Sequence, residues 1–209
     1  MKQEVKILLW DLGGVLIPFS HEILWQNFLK LLPWHRRLFC ALRKKVLFQK
    51  MHGALYDFEK GTINFEELLK ALEENLGFHF EYQKALAAWN EIFGPIGETC
   101  RFALDLKEKY PSYILSNTNT AHLKYLFENR PELKNFTALF SSCELGVLKP
   151  SPEFYLKVLE KIGAAPTDCL FIDDREENVR SALDCGIPSL LYTNLPSLCV
   201  DFKDFGVEL

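Results

Sequence analysis

Short apolar runs that stop at polar side chains constrain this chain more than any other feature. Val5–Trp10 (VKILLW) stops at Asp11, Tyr113–Leu115 at Ser116 and Asn117, and Cys169–Ile172 at Asp173 and Asp174. Ser189–Tyr192 is a fourth such run, and Ala138–Phe140 is a weaker fifth. Runs this short and this apolar suit strands buried on both faces. Segments with helical spacing lie between them: Phe102, Leu106 and Lys109; Phe154, Val158 and Ile162 after Pro152; Val179, Leu183 and Cys185 before Gly186. Strands alternating with helices predict an α/β fold with a doubly wound parallel sheet.

Residues 19–95 break that rhythm and contain no convincing strand. Leu24, Phe28 and Leu31 mark one amphipathic helix ending near Pro33, and Phe39, Leu42 and Val46 mark a second. Asn64 followed by Glu67 has the spacing of a capping box, which opens a third helix running towards Gly77. A fourth covers about Tyr82 to Phe93, before Gly94-Pro95. The expected organisation is a core of residues 1–18 and 96–209, with a helical insert at 19–95.

A hydrophobic content of 48% and a charged content of 25% are ordinary for a chain that folds around a core. No apolar stretch approaches the roughly 18 residues of a membrane helix. The opening MKQEVKILLWD fits neither a signal nor a transit peptide, so a cytoplasmic location with no membrane partner is expected. The six cysteines are widely spaced, without CxxC or a Cys/His cluster, which predicts reduced core thiols rather than a zinc site. Charge is uneven. Ile23–Tyr56 has no acid and seven basic residues; with −4 overall and +7 here, the remainder carries −11. Such a stretch is either a solvated helical face or a surface that draws anionic substrates; a nucleic-acid role is not expected. Trp25, Phe28, Trp34 and Phe39 within it are expected in the core.

In a doubly wound sheet, ligands gather at the carboxyl ends of the strands. Asp11, Ser116, Asn117, Asp173 and Asp174 stand at such ends, and Lys149 (in GVLKP) precedes a helix. Together these offer three carboxylates, a hydroxyl and an ammonium, a set that suits phosphoryl transfer. Carboxylates supply hard oxygens for Mg²⁺. A lysine and a hydroxyl can hold phosphate oxygens as charge shifts. An aspartate nucleophile divides one hard step into two.

These motifs, in this order, resemble those of the haloacid dehalogenase (HAD) superfamily: WDLGGVL with Asp11, YILSN with Ser116, LKPSPEFY with Lys149 and FIDDREENV with Asp173 and Asp174. The likeness covers residues 5–18 and about 97–195. Its wording is similar to the sugar-phosphate branch, near α-glucose-1-phosphate phosphatases. The resemblance implies a Mg²⁺-dependent phosphatase with a helical cap, acting on a small phosphorylated metabolite. It implies Asp11 as nucleophile and Mg²⁺ held by Asp11, the Gly13 carbonyl, Asp174 and, through water, Asp173. Ser116 and the Asn117 amide would hold the phosphate, and Lys149 would link phosphate and nucleophile.

One position departs. Most phosphatases of the superfamily have a second Asp, the acid–base group, two residues after the nucleophile; here it is Gly13. That group contributes roughly 10²–10⁴-fold. Three outcomes stay open: a substrate with a good leaving group, such as an anomeric sugar phosphate; a proton supplied by the cap, with His21, His52 and Glu59 as candidates; or a binding protein without activity. A carbon–halogen hydrolase on the same scaffold is a further alternative, disfavoured by the retained acidic pair.

Overall fold

The computed structural model describes residues 5–209; the expectation for residues 1–4 lies outside them. Five parallel strands form one sheet in the order β3-β2-β1-β4-β5: β1 (Ile7–Asp11), β2 (Ser112–Ser116), β3 (Ala138–Ser141), β4 (Cys169–Asp173) and β5 (Ser189–Leu191). Each expected run is a strand, and four of them extend to take in the polar residue that ends them. The weak signal at β3 has a physical origin: it is an edge strand with three of its four residues only half-buried.

The sheet's faces are covered as its alternation requires. Leu8, Trp10, Ile114, Leu170 and Ile172 point to one side, against α6 (Glu98–Leu106), α7 (Thr120–Asn129) and α11 (Leu195–Asp204). Leu9, Leu115, Cys169 and Phe171 point to the other, against α9 (Pro152–Ile162) and α10 (Glu176–Asp184). The short α8 (Ser142–Leu145) follows β3 directly. Fully buried side chains such as Trp10, Phe154 and Phe171 each contribute roughly 1.5–3 kcal/mol by leaving water. All six cysteines are free thiols. No helix of the described residues is long and apolar enough to cross a membrane.

Between β1 and α6 stand five helices, not the four expected: α1 (His21–Leu31), α2 (Trp34–Leu42), α3 (Lys44–Lys60), α4 (Phe65–Leu76) and α5 (Tyr82–Asn90). The second expected helix is split at Arg43, which leaves the helical backbone region although no Gly or Pro marks the break. The capping box at Asn64 and Glu67 forms as its spacing predicted. Leu24, Phe28, Leu47, Met51, Phe58, Phe65, Leu68 and Trp89 build a separate apolar cluster inside this layer. Trp34 and Phe39, expected in the core, are 80% and 55% exposed, because α2 turns Cys40 and Arg36 inward instead. The two connections to the sheet run side by side: Ser20 donates to the Ile92 carbonyl at 3.1 Å, and Gly94 to that of Pro18 at 2.8 Å.

Candidate active site

The register brings the polar strand ends level. Asp11 lies beside Leu115, one residue before Ser116, and Trp10 lies beside Ile172, one residue before Asp173. Strand order reverses on either side of β1, so these residues meet at the crevice where doubly wound sheets hold ligands.

At its centre is Lys149. Its ammonium is buried and donates to Asp11 Oδ1 at 2.6 Å, Asp173 Oδ2 at 2.8 Å and the Leu115 carbonyl at 2.8 Å. Its backbone is held from the neighbouring strand end. Asn117 donates from Nδ2 to the Lys149 carbonyl at 2.7 Å and accepts from the Lys149 N–H at 2.8 Å. The Asn117 side-chain amide, one reading of its expected phosphate contact, is thus committed to positioning Lys149.

The two adjacent acids have different surroundings. Asp173 is fully buried and accepts four hydrogen bonds: from Lys149, from the Arg175 N–H at 2.9 Å, and from Asn178 Nδ2 to both oxygens at 3.0 Å. A carboxylate offers about four acceptor sites, so Asp173 is saturated. Asp174 faces the cavity. Its Oδ2 stands 2.2 Å from where a Cβ on Gly14 would be, and Gly14 has φ +88°. Only glycine fits there, and it lets this carboxylate approach the loop after Asp11. Carboxylate oxygens of Asp11, Asp173 and Asp174 lie within 4.8 Å of one another. Beside them Asn178 Oδ1 is buried without a hydrogen-bond partner. Three acids and a spare acceptor fit a hydrated divalent cation.

Electrostatics follow from burial and crowding. Burial pushes the Asp11 carboxyl up to about 7; Lys149 opposes this, while Asp173 and Asp174 add to it. Asp174 is raised by burial and by Asp173. Lys149 stays charged: burial lowers it, but Asp11 and Asp173 outweigh that and its pKa rises.

These groups open into a cavity of about 510 Å³ walled by Asp11, Gly13, Ser116, Asn117, Lys149, Asp174 and Asn178 on the sheet side. The insert closes the other side with Phe19, His21, Leu24, Lys44, Phe48, Leu55, Glu59 and Trp89. Two of the acid–base candidates, His21 and Glu59, line it. Burial, with Arg175 nearby, lowers the His21 pKa; burial raises that of Glu59. His52 lines the adjacent cavity instead. The basic stretch divides: Arg36 and Arg37 are tied to backbone carbonyls, Arg43 lies over Phe39, and Lys44 pairs with Glu22 and reaches the cavity wall.

The most informative residue the motifs missed is Phe19. A Cβ on Gly13 would meet its ring at 2.9 Å, so an aromatic ring fills the space where a side chain would point. His122 was also missed. Its Nδ1 accepts from Asn119 Nδ2 at 3.1 Å, its Nε2 donates to the Trp89 carbonyl at 3.1 Å, and its ring stacks on Trp89. Neither contact follows a helix or strand period: Phe19 folds back on Gly13 across an irregular turn, and His122 meets Trp89 from a segment 33 residues away.

A doubly wound sheet that sets a lysine between two aspartates at its carboxyl edge, beneath a helical insert, defines a hydrolase scaffold of the HAD kind. The chain belongs to that family: its model, the haloacid dehalogenase-like hydrolases, matches residues 5–186. The chain is 28% identical to flavin mononucleotide hydrolase 1 of Arabidopsis thaliana, over all of this chain and 80% of that protein. It is 25% identical to D-ribitol-5-phosphate phosphatase of Bacteroides thetaiotaomicron, over 87% of this chain and 89% of that one. Among solved structures, the HAD family enzyme BT-2542 of Bacteroides thetaiotaomicron, in complex with magnesium and inorganic phosphate, superposes with a TM-score of 0.75 at 31% identity, covering 93% of this chain and 98% of that one. The L-2-haloacid dehalogenase of Xanthobacter autotrophicus, 20% identical with a TM-score of 0.63, shares the fold.

Proposed function

We propose that this HAD-like hydrolase is a Mg²⁺-dependent phosphatase of small phosphorylated metabolites, working through a phosphoryl group carried on Asp11. The observation that carries the reading is the Lys149 bridge between Asp11 and Asp173 at the floor of an open cavity. Asp11 is the nucleophile. Ser116 and the Lys149 ammonium receive the phosphate oxygens, and Asn117 fixes Lys149. Asp11, the Gly13 carbonyl and Asp174 would hold Mg²⁺, with Asp173, whose acceptor sites are filled, anchoring Lys149 beside them. The ion would supply charge that offsets repulsion between carboxylate and phosphate.

Residues 19–95 serve as the cap over a core of 1–18 and 96–209. With Gly13 lacking a side chain, the leaving oxygen departs either as a stable anion, as from a sugar 1-phosphate, or with a proton from His21 or Glu59. Relatives named for phosphate hydrolysis support this reading over carbon–halogen cleavage.

The test is phosphate release across a panel of sugar phosphates, nucleotides, aryl phosphates and acyl phosphates. Turnover is expected to need Mg²⁺ and to vanish in Asp11→Asn. Full activity in that variant, or in excess EDTA, refutes the reading. Chloride release from a 2-haloacid without metal replaces it with the dehalogenase.

A further inference from the structure

The helical insert contains a second cavity, of about 60 Å³, lined entirely by apolar side chains. Its wall includes Phe28, Leu32, Leu47, Met51, Phe65 and Leu69, together with residues that also face the catalytic cavity. Space for one water needs roughly 10–15 Å³ on this measure, and a water also needs polar partners. This cavity has room for several waters and offers them no hydrogen bond. It is therefore a place for apolar atoms. The contrast with the sheet's core is direct: Leu8, Trp10, Ile114 and Phe171 are fully excluded from solvent, whereas Leu24, Leu47 and Trp89 in the insert keep 7–8% exposure.

Its position gives it a use. Leu24 of α1, Phe48 and Leu55 of α3 and Trp89 of α5 face both cavities. These four side chains are the partition between the space above Asp11 and the apolar space behind. Phe48 and Leu55 are only half-buried, on α3, which lines both cavities as α1 does. A molecule with its phosphate on Lys149 and Ser116 would extend its leaving group towards this partition.

We propose that the insert holds an apolar tail, so that the substrate is an amphiphilic phosphate monoester: a phosphate head joined to an alkyl, isoprenoid or aryl body that enters the space behind Leu24, Phe48, Leu55 and Trp89. This rests on the phosphatase reading for the head and on the insert alone for the tail. Hydrolysis of such an ester breaks the P–O bond to the body and passes the phosphoryl group to Asp11 while His21 or Glu59 gives a proton to the leaving oxygen; water then takes the phosphoryl group from Asp11 and its proton restores that group.

The experiment uses the intact protein with two matched series, n-alkyl phosphates and the corresponding n-alkanols, from two to ten carbons. Phosphate release gives kcat/KM for the esters, and tryptophan emission with calorimetry gives Kd for the alcohols. Each methylene that enters the cavity should improve both by about fourfold, from roughly 0.8 kcal/mol per buried CH₂, until a break where the space is full. Leu69→Trp places an indole in the cavity and should move that break to shorter chains in both series. Esters hydrolysed with a flat profile, and alcohols that do not bind, overturn the tail site while leaving the phosphatase reading intact. Alcohols that bind with a chain-length break, with no ester hydrolysed, uphold the tail site and remove the phosphatase reading. A break that does not move in a folded Leu69→Trp places the tail elsewhere and overturns the proposal.

Discussion

Adding one methyl group at Gly13 tests whether Phe19 really occupies the space that a second motif-one carboxylate would need. Gly13 is outside the left-handed region, so Ala is compatible with its backbone. On that ground alone Gly13→Ala should stabilise by about 0.4–1 kcal/mol, by restricting the unfolded chain. The structure opposes this: the new Cβ would stand 2.9 Å and 3.0 Å from two ring carbons of Phe19. Overpacking of this kind costs roughly 1–3 kcal/mol, with about 1.5 kcal/mol apt here because Phe19 is 38% exposed and can yield. The net expectation is a loss of about 1 kcal/mol, or a Tm lower by about 3 °C for a chain of this size. In a Phe19→Ala background the clash is gone and the same change should gain about 0.5 kcal/mol. Urea denaturation of the four proteins closes the cycle, with an expected coupling of about 1.5 kcal/mol. A stabilising Gly13→Ala in the native background, or the same effect in both backgrounds, refutes the steric argument and reopens the position to an acid.

Lys149→Met removes the cation between two buried carboxylates and should cost about 3–5 kcal/mol in EDTA, measured by chemical denaturation. Mg²⁺ should restore part of that loss, and an equal loss in both conditions counts against a cation site at Asp11 and Asp174. His122 gives a pH signature: burial is the main cause holding its pKa at about 4, below its ordinary value near 6.5. The unfolded chain then binds the proton first, so stability is full above pH 6.5 and falls by up to about 3 kcal/mol as pH drops to 4. His122→Gln should flatten that window, and an unchanged pH slope in the variant would show the dependence to lie elsewhere.

The strands and the floor of the site were legible for one physical reason. A strand buried on both faces must be apolar, so the first polar residue marks its end, and strand ends in a doubly wound sheet converge. Asp11, Ser116 and Asp173 could thus be placed together from the sequence, and Gly13 stood out against the family's pattern. The insert was less legible. Its helices show apolar periodicity, but periodicity does not say which apolar face turns inward. In α2, Cys40 is buried while Trp34, Leu38 and Leu42 point out. The break at Arg43 carries no residue that forces it. Phe19 and His122 act through contacts with Gly13 and Trp89, which no local spacing encodes.

The same limit explains why two adjacent acids, alike in sequence, carry different chemistry. Asp173 ends β4, so its side chain lies within the sheet's edge, where a lysine, a helix-start N–H and Asn178 fill all its acceptor sites. An acid so satisfied is a poor direct ligand and a good anchor: it holds Lys149 at a fixed distance from Asp11. Asp174 is one residue further, past the strand, and turns to the loop that Gly14 leaves open. It presents its carboxylate to the cavity wall, with an oxygen 4.8 Å or less from one of Asp11. Removing the Asp173 side chain should therefore act first on the position of Lys149, and removing that of Asp174 on cation affinity. The pair divides into positioning and binding because a strand's last residue is enclosed and its successor is not.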